Sequence, residues 1–162
     1  MVDAAQRCRA CPRMEGRTRL LSAANGSLHP RVCFIAEAPG RLGGDRTAVP
    51  LAGDRSGRNF DRLLAAAGLD RSAIFITNAV LCNPRDHAGR NAPPAASEIR
   101  NCSGFLAATL RLLQPPYVVA LGNAALRALA LIEPHHATLT ADVGDLIPWQ
   151  NRWLIPLYHP SP

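Results

Sequence analysis

Residues 117–132, YVVALGNAALRALALI, decide the fold class. The stretch begins with an apolar run of strand length that is rich in β-branched residues, and Gly122 ends that run. The alanines and leucines that follow favour a helix directly after the turn. A buried strand that leads at once into a helix is the repeating unit of an α/β sheet with parallel strands.

The same alternation continues along the rest of the chain. Three further stretches predict strands: residues 31–40, 72–81 and 153–159. Two more predict helices: residues 56–69 and 96–116. We therefore expect an α/β three-layer sandwich with a central, mostly parallel four-stranded sheet flanked by helices. Without a repeat or a linker, residues 1–162 are predicted to form a single domain.

Composition and charge narrow the class of protein. No apolar run approaches the roughly 20 residues that span a bilayer, and the N-terminus lacks the apolar core of a secretory signal. We expect a cytoplasmic monomer without membrane contact. The net charge of +6 favours an anionic partner. Every basic residue is Arg, which fits either phosphate binding or the nucleotide bias of a GC-rich genome.

Four of the five cysteines have positions that are typical of metal ligation. Cys8 and Cys11 form a C-x-x-C turn, Cys82 follows a predicted strand, and Cys102 follows an Arg- and Pro-rich loop. Cys33 lies inside a predicted strand and is expected to be a core residue. Four thiolates hold either zinc or an iron–sulfur cluster, and their spacing does not choose between them. Four unrelated thiols remain the third interpretation.

A ligand site is expected where the predicted strands end, because parallel strands present their carboxyl ends at one edge of the sheet. This edge collects four stretches: AEAPG (36–40), Thr77 with Asn78, LGN (121–123) and YHPSP (158–162). Residues 158–162 are therefore expected at the rim of the site.

Seven motifs in order resemble those of the uracil-DNA glycosylase superfamily, nearest to its iron–sulfur-containing, family 4-like branch. They are CRAC (8–11), AEAPG (36–40), GDRSG (53–57), ITNAVLCNP (76–84), EIRNC (98–102), VVALGNAAL (118–126) and HPSP (159–162). The resemblance runs from Cys8 to Pro162. It implies an enzyme of base-excision repair that flips uracil out of DNA and hydrolyses its N-glycosidic bond. It also implies a [4Fe–4S] cluster, with zinc the less favoured occupant, on Cys8, Cys11, Cys82 and Cys102.

The chemistry needs a donor to a uracil oxygen, a reader of the base edge, and a group near the sugar that favours a cation and positions water. The resemblance implies His159 as the donor and Asn78 as the reader. Glu37 and Asp45 are both candidates for the third role, with Ala38 where some branches carry Asp. A surface histidine, a turn asparagine and a structural carboxylate paired with Arg are the alternative interpretations.

Further residues are expected to contact the base. Ala38, Pro39 and Gly40 belong to the first motif, and Leu51 stands where relatives usually carry a stacking Phe. Leucine covers a base face without aromatic stacking, so affinity or base preference could differ here.

DNA contacts are predicted in two further segments and at Ser161. Ser56, Arg55 and Asn59 surround an expected helix N-terminus and favour a phosphate cradle, although a cap formed by Ser56 or Asn59 explains the same residues. The loop 83–94, which carries Arg85, His87 and Arg90, is either a DNA-contacting loop or a solvated one.

The resemblance departs from the family pattern after HPSP. Relatives continue with a side chain that wedges into the duplex and with a helix, neither of which is in this sequence. We therefore expect either a truncated chain or a wedge supplied elsewhere, for example by loop 83–94. A DNA-binding module with lost or weak turnover, and a glycosylase for another deaminated base, are the alternative functions.

Overall fold

The computed structural model describes residues 1–161 and arranges them around a five-stranded sheet. The strands are β1 (Val32–Ala36), β2 (Ile74–Asn78), β3 (Tyr117–Leu121), β4 (Ile147–Trp149) and β5 (Arg152–Leu157). Their order across the sheet is β2-β1-β3-β5-β4. All neighbours pair in parallel except β4 and β5, which are antiparallel.

Five α-helices accompany the sheet within the described residues: α1 (Val2–Gln6), α2 (Gly44–Thr47), α3 (Arg55–Ala66), α4 (Ala96–Leu113) and α5 (Asn123–Ala130). Short 3₁₀ turns lie at Pro12–Met14, Ala23–Asn25 and Arg71–Ala73. None of the helices in residues 1–161 has the length and hydrophobicity needed to cross a membrane.

The two faces of the sheet are covered by different helices. On one face, buried residues of β1 and β3 pack with α4 and α5 in a cluster that includes Ile35, Val118, Leu106 and Leu126. On the other face, Phe34 and its neighbours pack against Phe60 and Leu64 of α3, with the two phenylalanine rings edge to face at 5.1 Å. This arrangement confirms the expected α/β class with helices on both sides of the sheet.

The sheet has one strand more than the four predicted. β4 is only three residues long and contains Pro148, so it carries no strand pattern of its own. It forms because Gln150 and Asn151 both adopt left-handed backbone angles, φ 48° and 58°, and turn the chain back into β5. Gln150 is an unusual residue for such a turn, which is why the sequence did not reveal the hairpin.

The N-terminal segment packs beside β2 and brings the C-x-x-C turn to the core. Leu20 is buried, and its N–H donates to the Leu81 carbonyl at 2.8 Å, directly before Cys82. Asn25 is also buried, and its amide donates to the Ile76 carbonyl at 2.7 Å. These contacts bring the start of the chain alongside the end of β2.

Candidate active site

A cleft of about 240 Å³ opens at the carboxyl ends of the parallel strands. Eight of the predicted site residues line it: Glu37, Ala38, Pro39, Gly40, Leu51, Ser56, His159 and Ser161. The remaining lining residues include Asp54, Asn83 and Asn91, which the sequence analysis did not single out. The expected edge of the sheet therefore does collect a site. His159 and Ser161 of the predicted rim segment 158–162 line it, whereas Pro162 lies outside the described residues.

His159 follows β5 and enters the cleft beside the turn at Gly122. The Gly122 N–H donates to the Leu157 carbonyl at 2.9 Å, with φ 94° at Gly122, a left-handed conformation that favours glycine. Burial lowers the pKa of His159, and Asp54 partly opposes that shift. Its Nδ1 lies 2.6 Å from the Ser161 hydroxyl oxygen. A neutral ring that accepts this hydroxyl proton at Nδ1 carries its own hydrogen on Nε2.

Glu37 follows β1 and is half-buried in the cleft wall. Its carbonyl accepts the Val80 N–H at 3.1 Å, which ties it to the end of β2. Burial raises the pKa of the Glu37 carboxyl, while Arg127 acts in the opposite direction. Glu37 therefore holds its proton to a higher pH than an ordinary glutamate.

Asp54 is a second carboxylate in the cleft. Its Oδ1 accepts the Gly57 N–H at 2.9 Å and caps α3, so neither Ser56 nor Asn59 is the cap that the sequence suggested. A side chain at Gly40 or Gly43 would collide with the Asp54 carboxylate. An Asp directly before a helical pattern is an N-cap signature that could have identified this residue.

Asn78 ends β2 and lies opposite Ala36 in the β1–β2 register. Asn78 does not itself line the cleft, and its side chain is buried, with 3% of the residue exposed. Its amide nitrogen has no hydrogen-bond partner within residues 1–161. A buried amide without a partner is costly and rare in native proteins, so it calls for an explanation.

Asp45 lies away from the cleft lining and has two partners of its own. Its Oδ1 accepts the Thr18 N–H at 3.0 Å, and its Oδ2 accepts from Arg85 Nη2 at 2.6 Å. Both oxygens are engaged and the side chain is 7% exposed. This environment favours a structural carboxylate paired with Arg over a group that handles water.

Two asparagines of loop 83–94 form hydrogen bonds with the first motif and with the residue that follows it. Asn83 donates to the Pro39 carbonyl at 2.6 Å and to Asn91 Oδ1 at 3.0 Å, and its own Oδ1 accepts from Arg85 at 2.7 Å. Asn91 Oδ1 also accepts the Arg41 N–H at 2.8 Å. Arg85 is therefore committed to Asp45 and Asn83. Arg90 is exposed and pairs with Asp86 at 2.8 Å.

Leu51 covers part of the cleft from a left-handed backbone conformation, φ 46°. Arg71 fixes this turn by donating to the carbonyls of Pro50, at 2.9 Å, and Leu51. The same guanidinium lies over the Phe60 ring, 5.4 Å from its centre. Arg71 supports the site from outside the motifs, so no sequence signal pointed to it.

The remaining predicted DNA contacts have different environments. Arg55 is exposed at the first turn of α3, whose N-terminus is already occupied by the Asp54 cap. Asn59 donates to the Pro160 carbonyl at 3.1 Å and so holds the HPSP segment against α3. Phosphate binding at this helix N-terminus stays a prediction, and the Asp54 carboxylate already occupies the N-cap position there.

Comparison with known proteins agrees with this geometry. The family model of the uracil DNA glycosylase superfamily matches residues 23–162. The chain belongs to this superfamily. A type-4 uracil-DNA glycosylase of Thermotoga maritima is 32% identical over 157 residues, covering 96% of this chain and 77% of the relative. One of Archaeoglobus fulgidus is 28% identical, covering 95% and 76%. A type-5 uracil-DNA glycosylase of Pyrobaculum aerophilum is 32% identical, covering 85% and 64%.

The four cysteines singled out in this family 4-like chain influence one another electrostatically. Burial raises the pKa of Cys82 to about 12, with smaller contributions from Cys102, Cys8 and Cys11. Burial also raises the pKa of Cys102 to about 11, again with contributions from Cys11 and Cys8. No group of three or more His, Cys, Asp or Glu in the described part of the superfamily member could hold a metal ion.

Two polar side chains adjoin these cysteines in the glycosylase fold. Asn101 donates to Cys11 Sγ at 3.4 Å, and Arg19 donates to the Cys8 carbonyl at 3.0 Å. Cys33, by contrast, is fully buried in β1, where burial raises its thiol pKa to about 12. The structure thus separates Cys33 from the other four, as the sequence predicted.

Proposed function

We propose that this chain removes uracil from DNA by hydrolysing its N-glycosidic bond. The observation that carries the proposal is the buried, unpartnered amide nitrogen of Asn78 at the end of β2. Uracil offers an edge with both donors and acceptors, and an Asn amide complements that edge by donating and accepting together. A flipped base would supply the partner that residues 1–161 do not provide.

His159 is the proposed donor to uracil. As the bond from the sugar to uracil breaks, its electron pair leaves with the base, and negative charge develops on the uracil oxygens. A neutral His159 that carries its hydrogen on Nε2 donates a hydrogen bond to the charged uracil oxygen, and it does not need to be positively charged to do so. The Ser161 hydroxyl, 2.6 Å from Nδ1, supports this tautomer.

Glu37 and Asp54 are the proposed carboxylates of the sugar side. The sugar becomes positively charged as uracil departs, and a nearby carboxylate favours that cation and orients water towards it. The water oxygen then bonds to the sugar carbon, and its released proton balances the uracil anion. Both carboxylates line the cleft, whereas Asp45 does not.

We propose that the enzyme is monofunctional. A glycosylase that also cleaves the strand by Schiff-base chemistry needs a nucleophilic amine, which lysine commonly provides. The 162 residues contain 18 arginines and no lysine. Water is therefore the proposed nucleophile, and an abasic site is the proposed product.

We further propose that Cys8, Cys11, Cys82 and Cys102 hold a [4Fe–4S] cluster. The pKa of Cys82 responds to Cys102, Cys8 and Cys11, and the pKa of Cys102 responds to Cys11 and Cys8, so the four thiols are near enough to share one group. Four cysteine thiolates are the ligand set of a [4Fe–4S] cluster. The cluster would cross-link the N-terminal segment to the start of loop 83–94 and to α4.

The DNA contacts around the site, the location of the protein and its oligomeric state are also proposals. We propose that Arg55, Ser56, Asn59, Ser161 and Arg90 contact DNA, and that residues 1–162 act as one cytoplasmic, monomeric domain. A binding module with weak turnover is the second candidate function, because Leu51 provides no aromatic stacking for the base. A glycosylase for another deaminated base is the third candidate function, for the same reason.

The test is cleavage of labelled DNA that contains one uracil, with alkali used to break abasic sites. We expect alkali-dependent cleavage by the wild type and a loss on the order of 10²-fold or more in single-turnover rate for His159→Ala. His159→Gln, which keeps an N–H, should recover part of the rate. Binding of uracil-DNA without cleavage would favour the binding module. Faster cleavage of DNA with another deaminated base would favour a glycosylase for that base.

A further inference from the structure

The turn that carries Leu51 has a strained backbone. Leu51 and Ala48 both adopt left-handed angles, φ 46° and 57°, although neither is glycine. Such angles are unfavourable for a bulky side chain and persist only where the surroundings enforce them. The turn lies between α2 and α3, and Leu51 lines the cleft. The contacts that enforce the turn therefore bear on the site.

Arg71 provides the hydrogen bonds that hold this turn. Its Nη1 donates to the Pro50 carbonyl at 2.9 Å, and its Nη2 donates to the Leu51 carbonyl. The two carbonyls belong to successive residues, so one planar guanidinium binds the turn at two adjacent points. A lysine ammonium lacks this fork geometry, which makes arginine specific for the arrangement.

Arg71 is itself fixed by its neighbours. Its Nε donates to Asp61 Oδ1 at 2.7 Å, and its guanidinium lies over the Phe60 ring, 5.4 Å from the ring centre. Asp61 and Phe60 both belong to α3. Asp70 caps the short 3₁₀ turn in which Arg71 begins. All three guanidinium nitrogens therefore have a partner, and Arg71 ties the strained turn to α3.

The space between the turn and α3 is closed as well. A side chain at Gly57 would meet the Leu51 carbonyl oxygen at 2.5 Å and the Ala52 Cα at 2.9 Å. The Leu51 side chain packs against the buried cluster that contains Phe60. The turn therefore has no room to move towards α3, and the bonds to Arg71 keep it from moving away.

We propose that Arg71 is a positioning residue for uracil cleavage, which acts by holding Leu51 against the face of the flipped base. The inference rests on the proposed function, since it needs a base in the cleft. Leucine offers a base no aromatic stacking, so its contact depends on where its side chain is held. A cover that is fixed before the base arrives has little freedom left to lose when the base binds.

Two other roles fit the contacts of Arg71 less well. A phosphate contact would compete with the partners that already engage all three guanidinium nitrogens. A role in stability alone does not explain why these bonds hold a strained residue, or why that residue lines the cleft. Arg71 does not line the cleft itself, so it reaches the base through Leu51.

The test is a double-mutant cycle of Arg71→Met and Leu51→Ala, measured as single-turnover cleavage of a uracil duplex by saturating protein. Methionine keeps an apolar chain over Phe60 but donates no hydrogen bond. Arg71→Met alone should slow cleavage on the order of 10-fold. Added to Leu51→Ala, it should slow cleavage further by less than about twofold, because the side chain that it positions is then gone.

Arg111→Met is the control for loss of an arginine. Arg111 is exposed on α4 and does not line the cleft, so the variant should match its parent in both backgrounds. Melting curves show whether each variant is folded at the assay temperature. If Arg71→Met is not, Arg71→Lys replaces it in the cycle and should slow cleavage about threefold or more, since its single nitrogen does not reproduce the fork.

Affinity for duplex DNA without uracil gives a second readout, which should stay at the wild-type value. Equal slowing in both backgrounds, no slowing by the folded Arg71 variant, or a loss of that affinity would overturn the assignment of Arg71. Wild-type protein that leaves uracil-DNA uncleaved would instead overturn the proposed function. The two failures are thereby distinguished.

Discussion

At the scale of single residues, Asn78 is unusual because its buried amide nitrogen makes no hydrogen bond within residues 1–161. Asn25 is equally buried, but its amide nitrogen donates to Ile76 and its oxygen accepts the Ser22 N–H at 2.8 Å. Two buried asparagines thus stand in opposite situations. The contrast separates a residue that serves the fold from one whose partner has to come from outside.

This contrast gives a paired prediction. Asn25→Ala should lower the free energy of unfolding by about 1–3 kcal/mol, because it strands buried backbone groups, whereas Asn78→Ala should leave it unchanged or raise it. Asn78→Ala should instead reduce single-turnover cleavage far more than duplex binding, which phosphate contacts dominate. Thermal unfolding, gel-shift binding and cleavage assays measure the three quantities. Equal losses of binding and cleavage would make Asn78 a structural residue.

Glu37 gives a prediction about pH. Because burial raises its pKa in the folded state above the ordinary value of 4.5, the folded protein holds this proton more tightly than the unfolded chain. Stability linked to Glu37 is therefore fully present below pH 4.5 and is lost as the pH rises through the raised pKa. Glu37→Gln removes that loss.

We expect Glu37→Gln to have a higher Tm than the wild type at neutral pH, with the difference vanishing below pH 4.5. The same variant should cleave uracil-DNA more slowly if the carboxylate favours the sugar cation. Melting curves across this pH range, together with single-turnover rates, check both parts. A variant that is less stable at every pH would contradict the assigned direction of the pKa shift.

At the scale of elements, the cap of α3 combines a structural and an electrostatic role in one side chain. Asn replaces Asp at a helix N-cap with little loss, whereas Ala costs about 1 kcal/mol. Asp54→Asn should therefore keep the Tm of the wild type but lose the negative charge beside His159, and Asp54→Ala should lose both.

If the Asp54 charge assists the reaction, both variants should cleave more slowly while only Asp54→Ala melts earlier. The measurements are Tm and single-turnover cleavage on one uracil duplex. Asp145→Asn, at an exposed position that does not line the cleft, controls for a change of net charge. Unchanged cleavage by Asp54→Asn would restrict Asp54 to capping.

The sequence predicted the elements that carry a periodic pattern and missed those made by single contacts. The four parallel strands and helices α3, α4 and α5 each bury a patterned face, so composition and spacing revealed them. β4 depends on the left-handed turn at Gln150 and Asn151, and the support of Leu51 depends on Arg71. Neither leaves a pattern along the chain.

The candidate site follows the same division. Residues inside motifs, such as His159 and Glu37, were predicted and do line the cleft. Asp45 was predicted from its position near a motif, but long-range pairing with Arg85 engages it elsewhere. Asp54 and Asn83 lie inside motifs but were not singled out. Asp54 is the local N-cap of α3, a signature that the sequence does carry, whereas Asn83 is held at the cleft by its long-range hydrogen bond to the Pro39 carbonyl.

At the scale of the whole molecule, the proposed cluster would tie distant parts of the chain together through Cys8, Cys11, Cys82 and Cys102. Cys102→Ala should abolish iron and acid-labile sulfide in anaerobically purified protein, whereas Cys33→Ala should keep both. The two thiols are both buried, so loss of a buried sulfur alone does not distinguish the variants. Metal analysis and visible absorbance are the measurements. Stoichiometric zinc without sulfide in the wild type would contradict the cluster.

The strand order has a consequence for the biosynthesis of the protein. β2, β1 and β3 are adjacent in the sheet and are translated before β5, so they are able to pair while the ribosome is still adding residues. At that stage the β3 edge that later pairs with β5 is open, and an open edge invites association between nascent chains. Glu37, Asp54 and Asn78 are already present, but His159 arrives only with β5. The last pairing of the parallel sheet thus closes the edge and delivers the proposed donor in a single event.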